Sequence, residues 1–221
     1  MKEFITAAVQ IAVKPNDINY NLDSVDDNIT KKAFAFVDEL LSRKKAESED
    51  YQPSTFESAL KYMSDANLVL ISLPGKYAAR EAKNALLHDK HVMLFSDNVS
   101  LEEEIDLKNL AKQSRLLMMG PDCGTAIINH VALAFANVIK KGPIGIVGAS
   151  GTGIQEVTVM IDKSGSGISQ AIGTGGRDLK AEVGGIMMIE GLKALQDDPL
   201  TEVIVLISKP PDKEVARKVK G

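Results

Sequence analysis

The sequence has no tryptophan, a single cysteine and no apolar run of bilayer length. Lone Cys123 excludes an internal disulfide framework and suits a reducing compartment. The longest apolar runs, such as Leu68–Leu73 and Val203–Ile207, are strand-sized, far below the ~18 residues that a membrane span needs. No cationic segment followed by an apolar stretch opens the chain, so it reads as cytoplasmic, with no membrane partner. Charge of one sign is also missing: 26 Lys and Arg against 30 Asp and Glu leave −4, which excludes a polybasic nucleic-acid binder and a disordered acidic tail. No aromatic residue follows Phe135, so there is no stacking platform for bases in the second half. Glycine is absent before Gly75, yet thirteen of the 17 glycines fall between Gly142 and Gly191. Two unlike halves joined near residue 141 are the first expectation.

What is present is an alternation of elements. Residues 4–13 read as a strand, 29–43 carry apolar residues at helical spacing, 44–54 are a charged linker, and 56–63 form a short helix. From Leu68 the order becomes regular. The apolar run at Leu68 predicts a strand buried on both faces, followed by a helix over 76–89 and a strand over 91–95. A helix over 101–113 begins behind a capping box, Ser100 with Glu103, and a strand over 115–119 follows. Residues 126–139 are apolar with few charges and end at Lys140-Lys141-Gly142-Pro143. Winding restarts with strands over 144–147, 168–172 and 202–208, helices over 154–163 and 186–195, and a last helix that stops at Gly221. The pattern predicts an α/β fold of parallel βαβ units. Three parallel strands leave unpaired edges, so the second domain is expected to continue beyond this chain.

Three loops carry the candidate chemistry. Gly148-Ala149-Ser150-Gly151-Thr152-Gly153 leaves a strand and opens a helix, where free amides and two hydroxyls attract an anion. It matches neither a Walker A loop nor a G-x-G-x-x-G fingerprint, and packing alone can explain glycine at a βα turn. Gly173-Thr174-Gly175-Gly176-Arg177-Asp178 is the second. Both loops leave the carboxyl ends of neighbouring strands, where doubly wound sheets bind ligands, and Arg177 is either an oxyanion clamp or the partner of Asp178 in a surface pair capping the next helix. The third loop, Gly120–Thr125, holds Cys123, read as an activated nucleophile or a buried apolar filler. Beside it Asp122 is an acid–base group, a metal ligand or a turn former. His88, His91 and His130 lie at no metal-ligand spacing to Cys123, so no metal site is expected.

Ser96-Asp97-Asn98-Val99-Ser100, Gly120–Thr125, Gly148–Glu156 and Gly173–Leu179 closely resemble the FdrA family. That family is itself similar to the α subunit of succinyl-CoA synthetase and other NDP-forming acyl-CoA synthetases. The resemblance runs from about Asp65 to the end. It implies an N-terminal segment over 1–55, a CoA-binding-type Rossmann-like domain over 56–141 and an incomplete flavodoxin-like parallel-sheet domain over 142–221. In the synthetases the helix after the Ser-Gly-Thr loop aims its positive end at a phosphorylated histidine, and a Gly-Pro-Asn-Cys-Pro-Gly stretch lies beside the CoA thiol. Here Asp122 stands in place of that Asn and Gly124 in place of the second Pro. The synthetases' early glycine-rich nucleotide loop has no counterpart, and none of the three histidines lies in a glycine-rich segment.

Carried onto this chain, the resemblance implies catalytic roles for Asp122, Cys123 and Arg177. Phosphate or another anion would lie at Gly148, Ser150, Gly151, Thr152, Gly153, Gly175 and Gly176, and CoA-type contacts at Pro74, Ser96, Asp97 and Asn98. The cofactor stays open between CoA and phosphate. The expected activity is acyl or carbamoyl transfer with phosphate, as in an oxamate carbamoyltransferase of allantoin degradation. The alternatives are a subunit of an NDP-forming acyl-CoA ligase and a non-catalytic anion-binding subunit. The expected partners are a small anionic substrate and either further copies or other subunits of one complex, with no nucleic acid.

Overall fold

The computed structural model of the chain describes residues 53–220. The strand expected over 4–13 and the helix over 29–43 lie outside them. Backbone proximity divides the chain into two compact units, residues 1–62 and 63–221. Of the first, the described part holds helix α1, Phe56–Tyr62, whose start is capped by Thr55 Oγ1 accepting from the Ser58 amide at 3.1 Å.

The second unit contains two sheets. The first is parallel, ordered β1 (Leu68–Ile71), β2 (His91–Leu94) and β3 (Met118–Met119). Helices α2 (Gly75–Leu87) and α3 (Leu101–Gln113) make its crossovers. α3 has the bounds that its spacing predicts, and its capping box is complete: Ser100 Oγ accepts from the Glu103 amide while Glu103 Oε2 accepts from the Ser100 amide. Two expectations are corrected here. β1 is not buried on both faces, since Leu70 is 45% exposed on this edge strand. β3 pairs over two residues rather than five, because Arg115 takes a left-handed conformation (φ 55°) after α3 and the Leu117 amide is spent on His91 Nδ1.

The second sheet has five strands, ordered β5 (Val131–Ala134), β4 (Thr125–Ile128), β7 (Ile168–Gly173), β6 (Lys141–Gly148) and β8 (Val203–Ile207). β7, β6 and β8 are parallel, as the alternation predicts. α4 (Gly151–Lys163) and α5 (Ile186–Asp197) connect them, and α6 (Lys213–Lys220) follows β8. The hairpin β4–β5 supplies what the sequence pattern left out: it lies before the junction expected at 141, yet it pairs antiparallel with β7. One core runs between the sheets, joining Met93 and Met119 of the first to Ala126, Val147 and Ile172 of the second and to Met188 of α5. The two sheets therefore fold on shared apolar surface, and the carboxyl ends of β1, β2, β6, β7 and β8 border one cleft.

Candidate functional site at the carboxyl ends of the strands

The cleft has a volume of about 540 Å³, in the range of small-molecule sites. One wall is apolar: Leu73 after β1, Phe95 after β2 and Phe135 after β5, the two rings meeting edge to face at 5.2 Å. Phe135 keeps 67% of its surface exposed although it is large and apolar, and Gln155 Nε2 holds its carbonyl at 3.1 Å. Polar groups share the lining of the cleft. Ser150, Gly151, Thr152, Gly175 and Gly176 line it, and Lys209, following β8, adds a cation with no carboxylate within ion-pair distance among the described residues.

The loop after β6 is held by its own chemistry. Ser150 is the N-cap of α4 and accepts from the Gly153 amide at 3.3 Å, so the helix starts at Gly151, three residues before the expected Ile154. The hydroxyl thus serves the helix, and the amides of Gly151 and Thr152 lie at its open positive end. Gly148 is glycine for packing: a Cβ there would stand 2.8 Å from Ile154 Cγ1. In the loop after β7, Gly175 has φ +86° and a Cβ would stand 2.4 Å from the Pro121 carbonyl oxygen, so this turn accepts glycine alone. Gly176 is different: the nearest atoms to its Cβ position are Asp122 Oδ2 and Lys209 Nζ, each at 3.9 Å, on the cleft side.

The expected site residues separate into two groups. Ser96, Asp97, Asp122, Cys123, Gly148, Ser150, Gly151, Thr152, Gly175 and Gly176 line the cleft; Pro74, Asn98, Gly153 and Arg177 do not. Pro74 is the N-cap residue of α2 and makes no side-chain cap bond. Ser96 is buried and accepts from the Leu73 amide at 2.9 Å, tying the β1 and β2 loops together. Asn98 bonds Asp97 Oδ1 and borders a smaller recess of about 260 Å³ with Arg177, next to the cleft.

Two catalytic expectations change. Cys123 is 3% exposed, its thiol points at the Gly173 carbonyl (3.4 Å), and burial pushes its pKa up to about 11; at neutral pH it is an uncharged thiol and not an activated nucleophile. Arg177 is not a free oxyanion clamp. Its Nη2 donates to the Val99 carbonyl at 2.8 Å and its Nε lies 2.7 Å from Glu104 Oε2, an ion pair whose N–H is not aimed along the contact. Nor does Arg177 pair with Asp178 on the surface. Asp178 is fully buried, and its carboxylate accepts from the Met187 and Met188 amides that open α5. Asp122 stands at φ 58° with its side chain exposed at the cleft. Among the described residues no cluster of three metal-ligating side chains occurs, and none of His88, His91 and His130 lines the cleft.

Sequence reasoning missed Lys209, Gln155 and the aromatic wall. Lys209 lies just past a strand in a segment without glycine, and the others depend on the unrecognised hairpin: Gln155 Nε2 donates to Thr125 Oγ1 at 2.9 Å on β4.

Known proteins resemble this chain over parts of their length. Residues 139–220, which hold β6 to α6, match the family profile described as CoA binding domain. The chain is 26% identical over 148 residues to the α subunit of an ADP-forming succinate–CoA ligase from Methanothermobacter thermautotrophicus, covering 66% of this chain and 49% of that protein. A second relative, the sulfoacetate–CoA ligase subunit SqwL of Acholeplasma sp, is 30% identical over 126 residues, covering 54% of this chain and 41% of that protein. This chain is also 55% identical over 184 residues to YahF of Escherichia coli K12, described as an uncharacterized protein, across 83% of this chain and 36% of that one. ATP citrate lyase from Methanothrix soehngenii, solved with citrate and coenzyme A, shares the fold: TM-score 0.60 at 16% identity, over 69% of this chain and 26% of that one. The chain thus spans from about a third to about half the length of these curated relatives. No helix among the described residues is long and apolar enough to cross a membrane.

Proposed function

We propose that this ligase α-type unit binds an acyl or phosphoryl anion of acyl-CoA chemistry in the cleft at the carboxyl ends of its strands. The observation that carries the reading is the mixed lining of one cleft: the α4 end residues and Lys209 share it with Leu73, Phe95 and Phe135. The polar side suits phosphate or carboxylate oxygens, since the α4 end and Lys209 both supply positive potential. The apolar wall suits an organic body, an acyl chain or the pantetheine arm of CoA, and offers nothing to bare phosphate. In such a transfer the amides of Gly151 and Thr152 would stabilise negative charge developing on the oxygens, and Asp122 is placed to handle a proton at the cleft rim. Leu73, Phe95 and Phe135 fit the pantetheine arm of CoA, which, bound there, would supply the acyl-accepting thiol.

The wall also ranks the alternatives. Carbamoyl transfer between phosphate and oxalurate uses small polar anions with no apolar body to place against Phe135, so acyl-CoA ligation is preferred over the carbamoyltransferase activity of the FdrA resemblance. We place the chain as one subunit of a larger ligase assembly. Calorimetric titration of the intact chain with CoA and, separately, inorganic phosphate tests the reading. Saturable binding that weakens at least tenfold in Lys209→Glu, a change of about 1.4 kcal/mol or more, is the expected outcome. Indifference to both ligands at millimolar concentration would sink it.

A further inference from the structure

We propose that Lys108, in the middle of α3, is a positioning residue that holds the Gly175–Gly176 side of the cleft from the opposite sheet's helix. The inference rests on reading the cleft as an anion site. Lys108 is fully buried, and its ammonium donates to three acceptors: Glu104 Oε1 at 2.7 Å, Asp178 Oδ1 at 2.8 Å and the Thr174 carbonyl at 2.9 Å. Three donors meet three acceptors, so nothing is left for a ligand, and Lys108 touches none.

Its partners bracket the glycines. Thr174 precedes Gly175, and Asp178 follows Gly176 and Arg177. Lys108 therefore grips the loop on both sides of the two residues that line the cleft. The other fastenings agree. The Thr174 amide donates to the Gly148 carbonyl at 2.8 Å, which ties this loop to the end of β6, and Arg177 returns to α3 through Glu104. Charges balance inside the cluster, two acids against two bases, so it needs no counter-ion from solvent. A buried cluster of this kind is weak evidence for stability and better explained by the one geometry it enforces. The two glycines lack side chains to pack, and without the clamp their backbone would sample many conformations.

The test is the Kd for inorganic phosphate in the intact chain with Lys108→Met, measured well below its melting temperature, with Leu195→Ala as a control of comparable destabilisation in the core. The clamp account expects at least a tenfold rise in Kd for Lys108→Met and an unchanged Kd for Leu195→Ala. A merely structural lysine would lower the melting temperature in both and leave both Kd values alone, which overturns the proposal. Should Lys108→Met fail to fold, Glu104→Gln/Lys108→Met removes one charge of each sign and is expected to show the same loss; wild-type affinity in that double variant overturns the proposal too. Amide hydrogen exchange on the unmodified chain supplies a readout that needs no variant. Thr174 and Asp178 are expected to be as protected as β7, and rapid exchange at both contradicts the clamp. If the wild-type chain binds CoA but not phosphate, the same comparison is read on the Kd for CoA; if it binds neither, the cleft reading fails, while the exchange result still judges the clamp.

Discussion

His91 shows how one side chain ties local chemistry to the architecture. It sits at the start of β2, paired with Leu68 of β1, and its Nδ1 accepts the Leu117 amide at 2.9 Å just before β3. The imidazole is therefore neutral with its proton on Nε2, and burial holds its pKa below the usual 6.5. A protonated ring would present a hydrogen where the Leu117 amide needs an acceptor. The unfolded chain takes up this proton near pH 6.5 while the folded one resists, so stability falls as pH drops from 6.5 towards the depressed value. Chemical denaturation of wild type and of His91→Asn, whose amide oxygen can accept the same bond without titrating, checks this. Wild type is expected to lose stability relative to the variant as pH falls below about 6.5; parallel profiles would contradict it. Nothing in the sequence marks this role, because a histidine facing a backbone amide and one facing solvent read alike.

Among the elements, those with a strong local signal were legible and those defined by partners were not. α3 declares itself through Ser100 and Glu103, and the structure contains both halves of that capping box. Ser100→Ala is expected to cost about 1 kcal/mol in thermal or chemical unfolding, and an unchanged midpoint would show that the box carries no stability. The β4–β5 hairpin is the opposite case. Its strands are four residues each, and its turn is Asn129-His130, both at positive φ (49° and 67°), where a sequence signal would be Asn-Gly. With the hairpin unseen, three site features were hidden: the Thr125–Gln155 bond, the exposed Phe135 ring, and the reason for Gly173, whose Cβ would meet the Thr125 carbonyl at 2.5 Å. The glycine-rich loops themselves were readable, since Gly175 occupies a backbone conformation that side chains avoid. Arg177 was misread because its partner Glu104 lies 73 residues away on another sheet's helix.

At the scale of the molecule, the two sheets make one body through a shared core and the buried charges of Glu104, Lys108 and Asp178, with half-buried Arg177 beside them, and the cleft forms where their carboxyl ends meet. Composition alone placed the two halves side by side but could not say that five strand ends converge. The most direct test of the central claim is an amide NMR titration of the intact chain with inorganic phosphate. The account expects saturable shifts concentrated at Gly151, Thr152, Gly175 and Gly176, with little change at Asn98 and the rest of the outer recess. Shifts confined to other residues, or none with millimolar phosphate and none with millimolar CoA in a parallel titration, would contradict it.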